Sequence, residues 1–398
     1  MKNIKYTLLA AVLLAISCEQ IEQPSINLGE LPIHRGYMQF STGVSSRAQL
    51  ATDMKGKHFG VIGYKYSATT NWATAKPVTA PNTFYNLEVA CVENGTCSYD
   101  AYPDSDKSLK EWEEGHYSFF AYHPFNANGI SLSSKNTTNT PSLTYTYGWL
   151  NHDNQSWYLK DFGTVALQKE ESTPQNIAVD VVNLCDANAP VYDLMTAEAI
   201  DVNGRGNGTV GLNFKHRMFA LEVLANNYNE NSEGTHDARQ SITSLVLTLN
   251  GLQHSTMTIP MSMQSGEAAP VYNGTAPGTR SFLISDPYKG GIEIPAFNEV
   301  TEDGRGEGVA TSVSKLGGRG NNAGYLMLIP QTSGLRGSLH WAELKNFPGT
   351  ISTEFTSNIE FKAGKLYQLY INFVGSGITI ALIEAGAWDV YDVEHKFE

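Results

Sequence analysis

The sequence predicts an all-β protein that is exported from the cytoplasm and anchored by a lipid. Three observations lead to this prediction: a short apolar leader that ends in cysteine, a composition typical of strands and turns, and apolar residues that alternate with polar ones. Helical periodicity is nearly absent, so sheets must pack against sheets. Each half of the chain carries roughly seven strand segments, which is the size of one β-sandwich.

The leader occupies residues 1–17. Lys2 and Lys5 precede an apolar run, and Cys18 follows it after one small residue. This order is typical of a bacterial signal that is removed before a cysteine, which then carries a lipid such as palmitate. The run is shorter than the about 20 residues of a transmembrane helix. We predict lipidation of Cys18 and a polar tether over 18–36. The alternative is an ordinary cleaved signal followed by an incidental cysteine.

Composition and charge narrow the class of protein. The chain has 398 residues, of which 20 are Tyr and 36 are Gly, and only 17% are charged. This profile is typical of a β-rich secreted protein with many turns. The net charge of −13 argues against nucleic acid as a partner. The stretch 186–207 is loop-like, so we place a domain boundary near residue 190. It separates an N-terminal domain over 37–190 from a C-terminal domain over 191–398.

The N-terminal half is a series of strands with one candidate helix. Its predicted strands are Tyr37–Ser41, His58–Tyr66, the hairpin over Asn86–Tyr102, His116–His123, Ser142–Tyr147 and Asn176–Val182. Pro124 ends the strand before it, because proline cannot donate a ladder hydrogen bond. The helix candidate is Ser108–Glu114, with Ser108 as its N-cap.

The C-terminal half continues the strand pattern from Thr209. Leu212 and Phe214 share one face of the first segment, whereas Phe219 and Leu221 have the opposite parity. A β-bulge near His216–Met218 would bring all four to one face. The later predicted strands are Leu245–Leu249, Arg280–Ile284, Tyr325–Ile329, Leu339–Glu343, Tyr367–Phe373 and Ile378–Ile383.

Two of the four cysteines lie within one predicted hairpin. If Glu93–Gly95 forms a three-residue loop, Cys91 lies opposite Cys97, and the same register sorts apolar from polar side chains. Opposed strand residues are close enough for a disulfide after local adjustment. We therefore predict a Cys91–Cys97 bridge, the alternative being two buried free cysteines. Cys185 is then the odd thiol.

The sequence contains no catalytic constellation that supports an enzyme, so we expect no enzymatic activity, no cofactor and no metal site. It has no zinc-protease, serine-hydrolase or phosphate-loop motif. His216 and His340 lie inside predicted strands, where a structural histidine is the simpler interpretation. A glycan platform would need exposed aromatic residues, and the candidates are Trp72, Trp112, Trp149, Trp157 and Trp341. Core packing explains them equally well.

Several stretches of the sequence form a recognisable series. They are Tyr37–Ser41, Ser46–Ala48 and the following strand to Tyr64, then Tyr117–Pro124, Asp193–Ala197 with Leu212–His216, Leu328–Gln331, Phe361–Tyr367 and Trp388. No single stretch is specific, but their order and spacing over residues 37–388 resemble the fimbrillin family, the subunits and accessory proteins of type V pili. The resemblance implies a lipoprotein with two tandem transthyretin-like β-sandwich domains.

The family resemblance also implies how the protein is assembled. Family members are often cut by an arginine-specific protease in an N-terminal loop, which releases the first strand and opens an apolar groove for a partner strand. In this sequence the corresponding bond is Arg47–Ala48, and the covering residues are Met38 and Phe40. The donor strand would come from Ile378–Val393. An ordinary loop arginine is the alternative for Arg47.

The resemblance implies a structural or adhesive fimbrial subunit on the cell outer membrane, held there by its lipid. Its partners would be other fimbrial subunits, in a homopolymer or heteropolymer, and a surface ligand on host or bacterial cells. Shaft, tip and anchor roles all remain open. The alternative functions are a lipid-anchored glycan-binding module and a secreted hydrolase with an acidic cleft.

Overall fold

The computed structural model describes most of the strand-forming part of the chain. The described residues are 36–44, 54, 56–75, 80–91, 96–99, 109–133, 141–147, 157–160, 167–168, 176–179, 181–183, 193–206, 208–227, 240–262, 270–275, 279–285, 292–294, 314–316, 325–332, 336–344, 350–374 and 377–387. They form 25 strands, one short helix and one 3-10 turn over Gly204–Gly206. This content confirms the predicted all-β class.

The strands before residue 190 are β1 (Gln39–Val44), β2 (His58–Tyr66), β3 (Phe84–Cys91), β4 (Thr96–Ser98), β5 (His116–His123), β6 (Ile130–Leu132), β7 (Ser142–Thr146), β8 (Trp157–Lys160), β9 (Leu167–Gln168), β10 (Asn176–Val179) and β11 (Val181–Asn183). The helix α1 spans Trp72–Ala75. The predicted bounds of β2 and β5 are confirmed.

The strands after residue 190 are β12 (Met195–Asn203), β13 (Thr209–His216), β14 (Phe219–Asn227), β15 (Gln240–Asn250), β16 (His254–Pro260), β17 (Val271–Thr275), β18 (Thr279–Ser285), β19 (Ile292–Ile294), β20 (Ser314–Leu316), β21 (Tyr325–Leu328), β22 (Arg336–Leu344), β23 (Thr350–Thr356), β24 (Lys365–Val374) and β25 (Gly377–Ala387).

Two local predictions are wrong. Of the predicted helix Ser108–Glu114, the described residues 109–114 are not helical, and Glu111 forms a bridge with Tyr37. The segment lies alongside the entry to β1, where backbone pairing replaces a helical turn. The stretch 186–207, predicted as a loop, contains β12, a strand that pairs with β5.

Seven strands close into a barrel in the order β1, β13, β12, β5, β2, β3, β4, and β1 meets β4 to complete the circle. Its interior is an apolar cluster that includes Phe40, Phe59, Phe119 and Phe214. The barrel strands β2 and β5 are buried on both faces. Their outward side chains, such as Tyr64 and Phe120, belong to a second and larger core that extends into the C-terminal half of the chain.

The predicted domain boundary near residue 190 does not separate the sheets, and the division into 37–190 and 191–398 must be corrected. Strands β12 and β13 complete the N-terminal barrel. In the other direction, β7 pairs with β16, and β11 pairs with β18. Strand pairing of this kind is long-range, so a loop-like stretch of sequence does not reveal it.

The parity change predicted as a β-bulge near His216–Met218 has another cause. The chain leaves the barrel at the end of β13 and enters a different sheet at the start of β14. Leu212 and Phe214 therefore face the barrel interior, whereas Phe219 and Leu221 face the larger core. Two strands in two sheets need no common face, so no bulge is required.

Candidate functional site

The candidate site is strand β1 and the groove beneath it. β1 runs parallel to β13 over six residue pairs, from Gln39 with Thr209 to Val44 with Phe214. On its other edge it pairs with β4 over only two residue pairs, Phe40 with Cys97 and Ser41 with Thr96. Neither neighbour follows β1 directly in sequence, so no hairpin joins β1 to the sheet. It is held by its ladder hydrogen bonds and by its inward side chains.

Phe40 is the central inward side chain of β1, and only 2% of its surface is exposed. Four aromatic rings surround it. The ring centroids lie 6.4 Å away for Phe59, 6.0 Å for Phe84, 6.2 Å for Tyr99 and 5.7 Å for Phe119. Three of the contacts are edge-to-face, an arrangement that aromatic pairs favour beyond simple area burial. The rings form a pocket that Phe40 fills.

Met38 and its neighbours fix the entry of β1. Met38 is 2% exposed, and its backbone N–H donates to the Lys110 carbonyl at 2.8 Å. Trp112 N–H donates to the Gly36 carbonyl at 3.2 Å. Met38, just before β1, and Phe40 thus cover the barrel interior from the same side, while Gln39 between them is exposed.

Lys110 belongs to the rim of the groove. Its Nζ lies 5.2 Å from the centroid of the Phe84 ring, a cation–π contact, and donates to the Thr83 carbonyl. Its backbone N–H donates to the Tyr99 hydroxyl at 3.0 Å. Tyr99 therefore meets Phe40 with its ring while its hydroxyl group is paired.

The two hairpin cysteines form part of the wall beside β1. Cys91 of β3 is registered with Cys97 of β4, and their Sγ atoms lie 2.01 Å apart in a disulfide. Both are 3% exposed. Thr42 Oγ1 of β1 lies 3.6 Å from Cys97 Sγ, so the bridge borders the groove directly.

Only the first part of the predicted donor segment Ile378–Val393 lies within the described residues. Residues up to Ala387 belong to β25, which pairs antiparallel with β24 over ten residue pairs. Within the described part of the chain, β25 is the last strand of its sheet. Ile378, Ile380 and Leu382 pack partly buried against the core, and the intervening Thr379, Ala381 and Ile383 are exposed. The rest of the segment, 388–393, lies outside the described residues.

Several other predicted positions also lie outside the described residues, namely Cys18, Arg47, Ala48 and Cys185. Trp72 and Trp112 are described and are 0% and 1% exposed, so neither contributes to an exposed glycan platform. His216 is buried, and its Nδ1 lies 2.7 Å from Asp193 Oδ2, consistent with a structural histidine.

Across the part of the chain that the structure describes, no cluster of three or more His, Cys, Asp or Glu side chains could hold a metal ion. In that same part of the chain, no helix is long enough and apolar enough to cross a membrane.

The pocket residues Phe59, Phe84, Tyr99 and Phe119 were not assigned to the site from sequence. Phe59 and Phe119 lie in predicted strands and Tyr99 in the predicted hairpin, whereas Phe84 precedes the first predicted residue of that hairpin, Asn86. Which inward residues meet Phe40 depends on the closure of the barrel by β1, and no local pattern encodes that closure.

The sequence model of the fimbrillin-like family matches residues 46–388. The chain belongs to this family. The match covers most of the chain and includes the strands that line the groove, but it begins after β1. The predicted resemblance to fimbrillins is therefore confirmed.

Several solved structures are similar to this fimbrillin-like chain, and the first of those described next shares its fold. A fimbrial protein from Bacteroides vulgatus is 15% identical, with a TM-score of 0.50 over 88% of this chain and 99% of the other. A candidate cell adhesion protein from Bacteroides ovatus is 14% identical, with a TM-score of 0.46 over 90% and 99%. A fimbrial assembly protein from Parabacteroides distasonis is 9% identical, with a TM-score of 0.31 over 87% and 96%. No curated protein matches the sequence.

Proposed function

We propose that this chain is a subunit of a type V fimbria and that it is assembled by strand exchange, with β1 replaced by a strand of a partner subunit. The observation that carries the proposal is the position of β1. It closes the barrel, buries Met38 and Phe40 in an apolar groove, and has no hairpin connection to either neighbour. Membership of the fimbrillin-like family supports the same function.

The order of the strands supports the proposed release of β1 without unfolding of the rest. The other six strands of the barrel pair consecutively from β13 through β12, β5, β2 and β3 to β4. Removing β1 opens this sheet at one place and leaves those pairs intact. It creates two free edges on either side of an apolar groove, and such edges pair readily with an added strand.

An empty groove would be energetically unfavourable. Without Phe40, the four rings around it would lose their central contact, and apolar surface on the barrel interior would be exposed to water. A partner strand that presents apolar side chains at the positions of Met38 and Phe40 restores both the ladder and the core. This exchange links one subunit to the next.

The proposed cleavage bond is Arg47–Ala48, in the connection between β1 and β2. Because β1 and β2 are not neighbours in the barrel, cutting this connection breaks no hairpin. Cleavage after Arg35 would instead remove only the segment that precedes β1. Arg47 is thus the arginine whose cleavage frees the strand.

The proposed donor is the C-terminal region Ile378–Val393. Among the strands that the structure describes, β25 pairs only with β24, and its apolar face is partly exposed. The tail beyond Ala387 contains Trp388, Val390 and Tyr391, which could supply apolar contacts to a groove. We further propose that Cys18 is lipidated and holds the uncut subunit at the outer membrane.

The test is digestion of the purified full-length chain with an arginine-specific protease, followed by N-terminal sequencing and electrophoresis without boiling. We expect a new N-terminus at Ala48 and a ladder of detergent-resistant oligomers. An Arg47→Ala variant should give neither, whereas the matched control Arg35→Ala should behave as the wild type. A product that begins elsewhere, or a cleaved chain that stays monomeric with and without other subunits, would contradict the proposal.

A further inference from the structure

The shortest strand of the barrel stands beside the groove. β4 spans three residues, Thr96–Ser98, and pairs with β3 through two residue pairs, Ala90 with Ser98 and Cys91 with Cys97. Its other edge pairs with β1 through two residue pairs. Isolated strand pairs need more contacts than this to be stable in water. β1 therefore contributes to holding β4 in the barrel.

The disulfide between Cys91 and Cys97 is a covalent cross-link between β3 and β4, in addition to the chain segment that joins the two strands. Resting on the strand-exchange function proposed above, we infer that the Cys91–Cys97 disulfide keeps β4 in place as a wall of the groove after β1 has left. The bridge preserves an edge to which the partner strand can pair. Cys91 and Cys97 are therefore positioning residues: they hold β4 in place and do not themselves pair with the incoming strand.

The wall also carries one side of the aromatic pocket. Tyr99 directly follows β4, is 1% exposed, and has its ring centroid 6.2 Å from that of Phe40 and 5.5 Å from that of Phe84. If β4 separates from β3, the strand that holds Tyr99 in the pocket is no longer fixed. The groove then loses both a hydrogen-bonding edge and one of the four rings that receive the incoming side chain.

The bridge matters most when the groove is open. In the uncut chain, β4 is flanked by β1 and β3, so loss of the disulfide leaves two neighbours. Once β1 has left, the two residue pairs with β3 are its ladder contacts. The disulfide limits how far β4 can move from β3, and this constraint has the greatest effect when only these two residue pairs hold the strands together. The inference therefore predicts a larger effect on strand acceptance than on folding of the uncut subunit.

The experiment opens the groove in the full-length chain without a protease. In the double variant Met38→Asp with Phe40→Asp, two carboxylates replace the inward side chains of β1, and an apolar pocket cannot hold them. A fluorescent peptide with the sequence of residues 36–44 then serves as the incoming strand, and its binding is followed by anisotropy. The matched control is Gln39→Asp with Ser41→Asp, which places the same charges on the exposed face of β1.

With the disulfide intact, the open variant should bind the peptide and the control should not. Reduction of the disulfide should weaken peptide binding by about tenfold or more, and reoxidation of the reduced protein should restore it. The added substitutions Cys91→Ala and Cys97→Ala should weaken binding to the same extent. Equal binding before and after reduction would overturn the inference and leave the proposed strand exchange standing. If the open variant does not fold, protease-cleaved wild-type protein replaces it in the same comparison.

Hydrogen exchange separates the two hypotheses further. If the oxidised open variant folds but binds no peptide, strand exchange at this groove is wrong. The exchange rates of the backbone amides of residues 96–99 then test whether the disulfide holds β4 in place. Faster exchange on reduction would support the disulfide as the fastening of β4, and unchanged exchange would overturn it.

Discussion

The indole Nε1 of Trp72 donates a hydrogen bond of 2.9 Å to the backbone carbonyl of Ser262, 190 residues further along the chain. Tyr64 makes a parallel connection, its hydroxyl donating to the Met261 carbonyl at 3.0 Å. Both rings are fully buried and lie 4.7 Å apart between centroids. The outer face of the barrel is thus fixed to the C-terminal half by paired polar groups within an apolar core.

We predict that Trp72→Phe lowers the free energy of unfolding by about 1–3 kcal/mol, because it removes a buried donor and leaves space around a smaller ring. Tyr64→Phe removes only a hydroxyl and should cost about 1 kcal/mol. Urea denaturation measures both. Tyr37→Phe, whose ring is 43% exposed, is the control and should unfold as the wild type does. Unchanged stability in Trp72→Phe would show that this contact does not join the two halves.

A second prediction concerns the central side chain of β1. Phe40→Ala should lower the free energy of unfolding of the uncut chain by about 3–5 kcal/mol, since it empties a pocket lined by four rings. Ser41→Ala changes the next residue on the exposed face and should leave stability within about 0.5 kcal/mol. Chemical denaturation followed by circular dichroism compares them. Equal effects of the two substitutions would mean that β1 is not packed as described.

The third prediction concerns the disulfide in the uncut chain. A short loop of this kind should contribute about 2 kcal/mol to stability, so reduction should lower the denaturation midpoint without unfolding the protein at room temperature. Alkylation of the unfolded, non-reduced protein followed by mass spectrometry checks the pairing first. Cys185 should be labelled while Cys91 and Cys97 are not. Label on all three cysteines would contradict the bridge.

Local pattern was sufficient to predict the central strands. β2 and β5 carry dense apolar and aromatic residues and end at clear signals such as Pro124, so their bounds follow from the sequence. The cysteine register also followed from local alternation, because a hairpin sets its own pairing. The all-β class rests on the same short-range information.

The closure of the barrel could not be predicted in the same way. β1 and β13 pair in parallel although Gln39 and Thr209 are 170 positions apart, and no turn sequence specifies such a partner. β12 was missed because Glu198 and Asp201 interrupt its apolar pattern. Its place is set by pairing with β5 rather than by its own composition. The groove depends on these long-range contacts, so only its covering residues could be named from sequence.

The last prediction concerns acid. Burial lowers the pKa of His123 to about 4, and in the neutral ring Nδ1 donates to the His58 carbonyl at 2.7 Å. The hydrogen bond to the His58 carbonyl and the charge of Asp193 raise this pKa, and the charges of Lys57 and His58 lower it, but the effect of burial is larger. The folded-state pKa lies below the unfolded value of about 6.5, so the unfolded chain binds the proton first as pH falls. The stability that the neutral ring supports is complete above pH 6.5 and is lost between about pH 6.5 and 4.

Because the ring is partly exposed, solvent screening should limit this loss to about 1–2 kcal/mol. His123→Gln keeps an N–H donor that can reach the His58 carbonyl but cannot be protonated in this range. The free energy of unfolding, measured by urea denaturation from pH 7 to pH 4, should therefore fall less steeply in the variant than in the wild type. Parallel curves for the two proteins would show that His123 is protonated in the folded chain as easily as in the unfolded one, and that its position at the end of β5 carries no cost in acid.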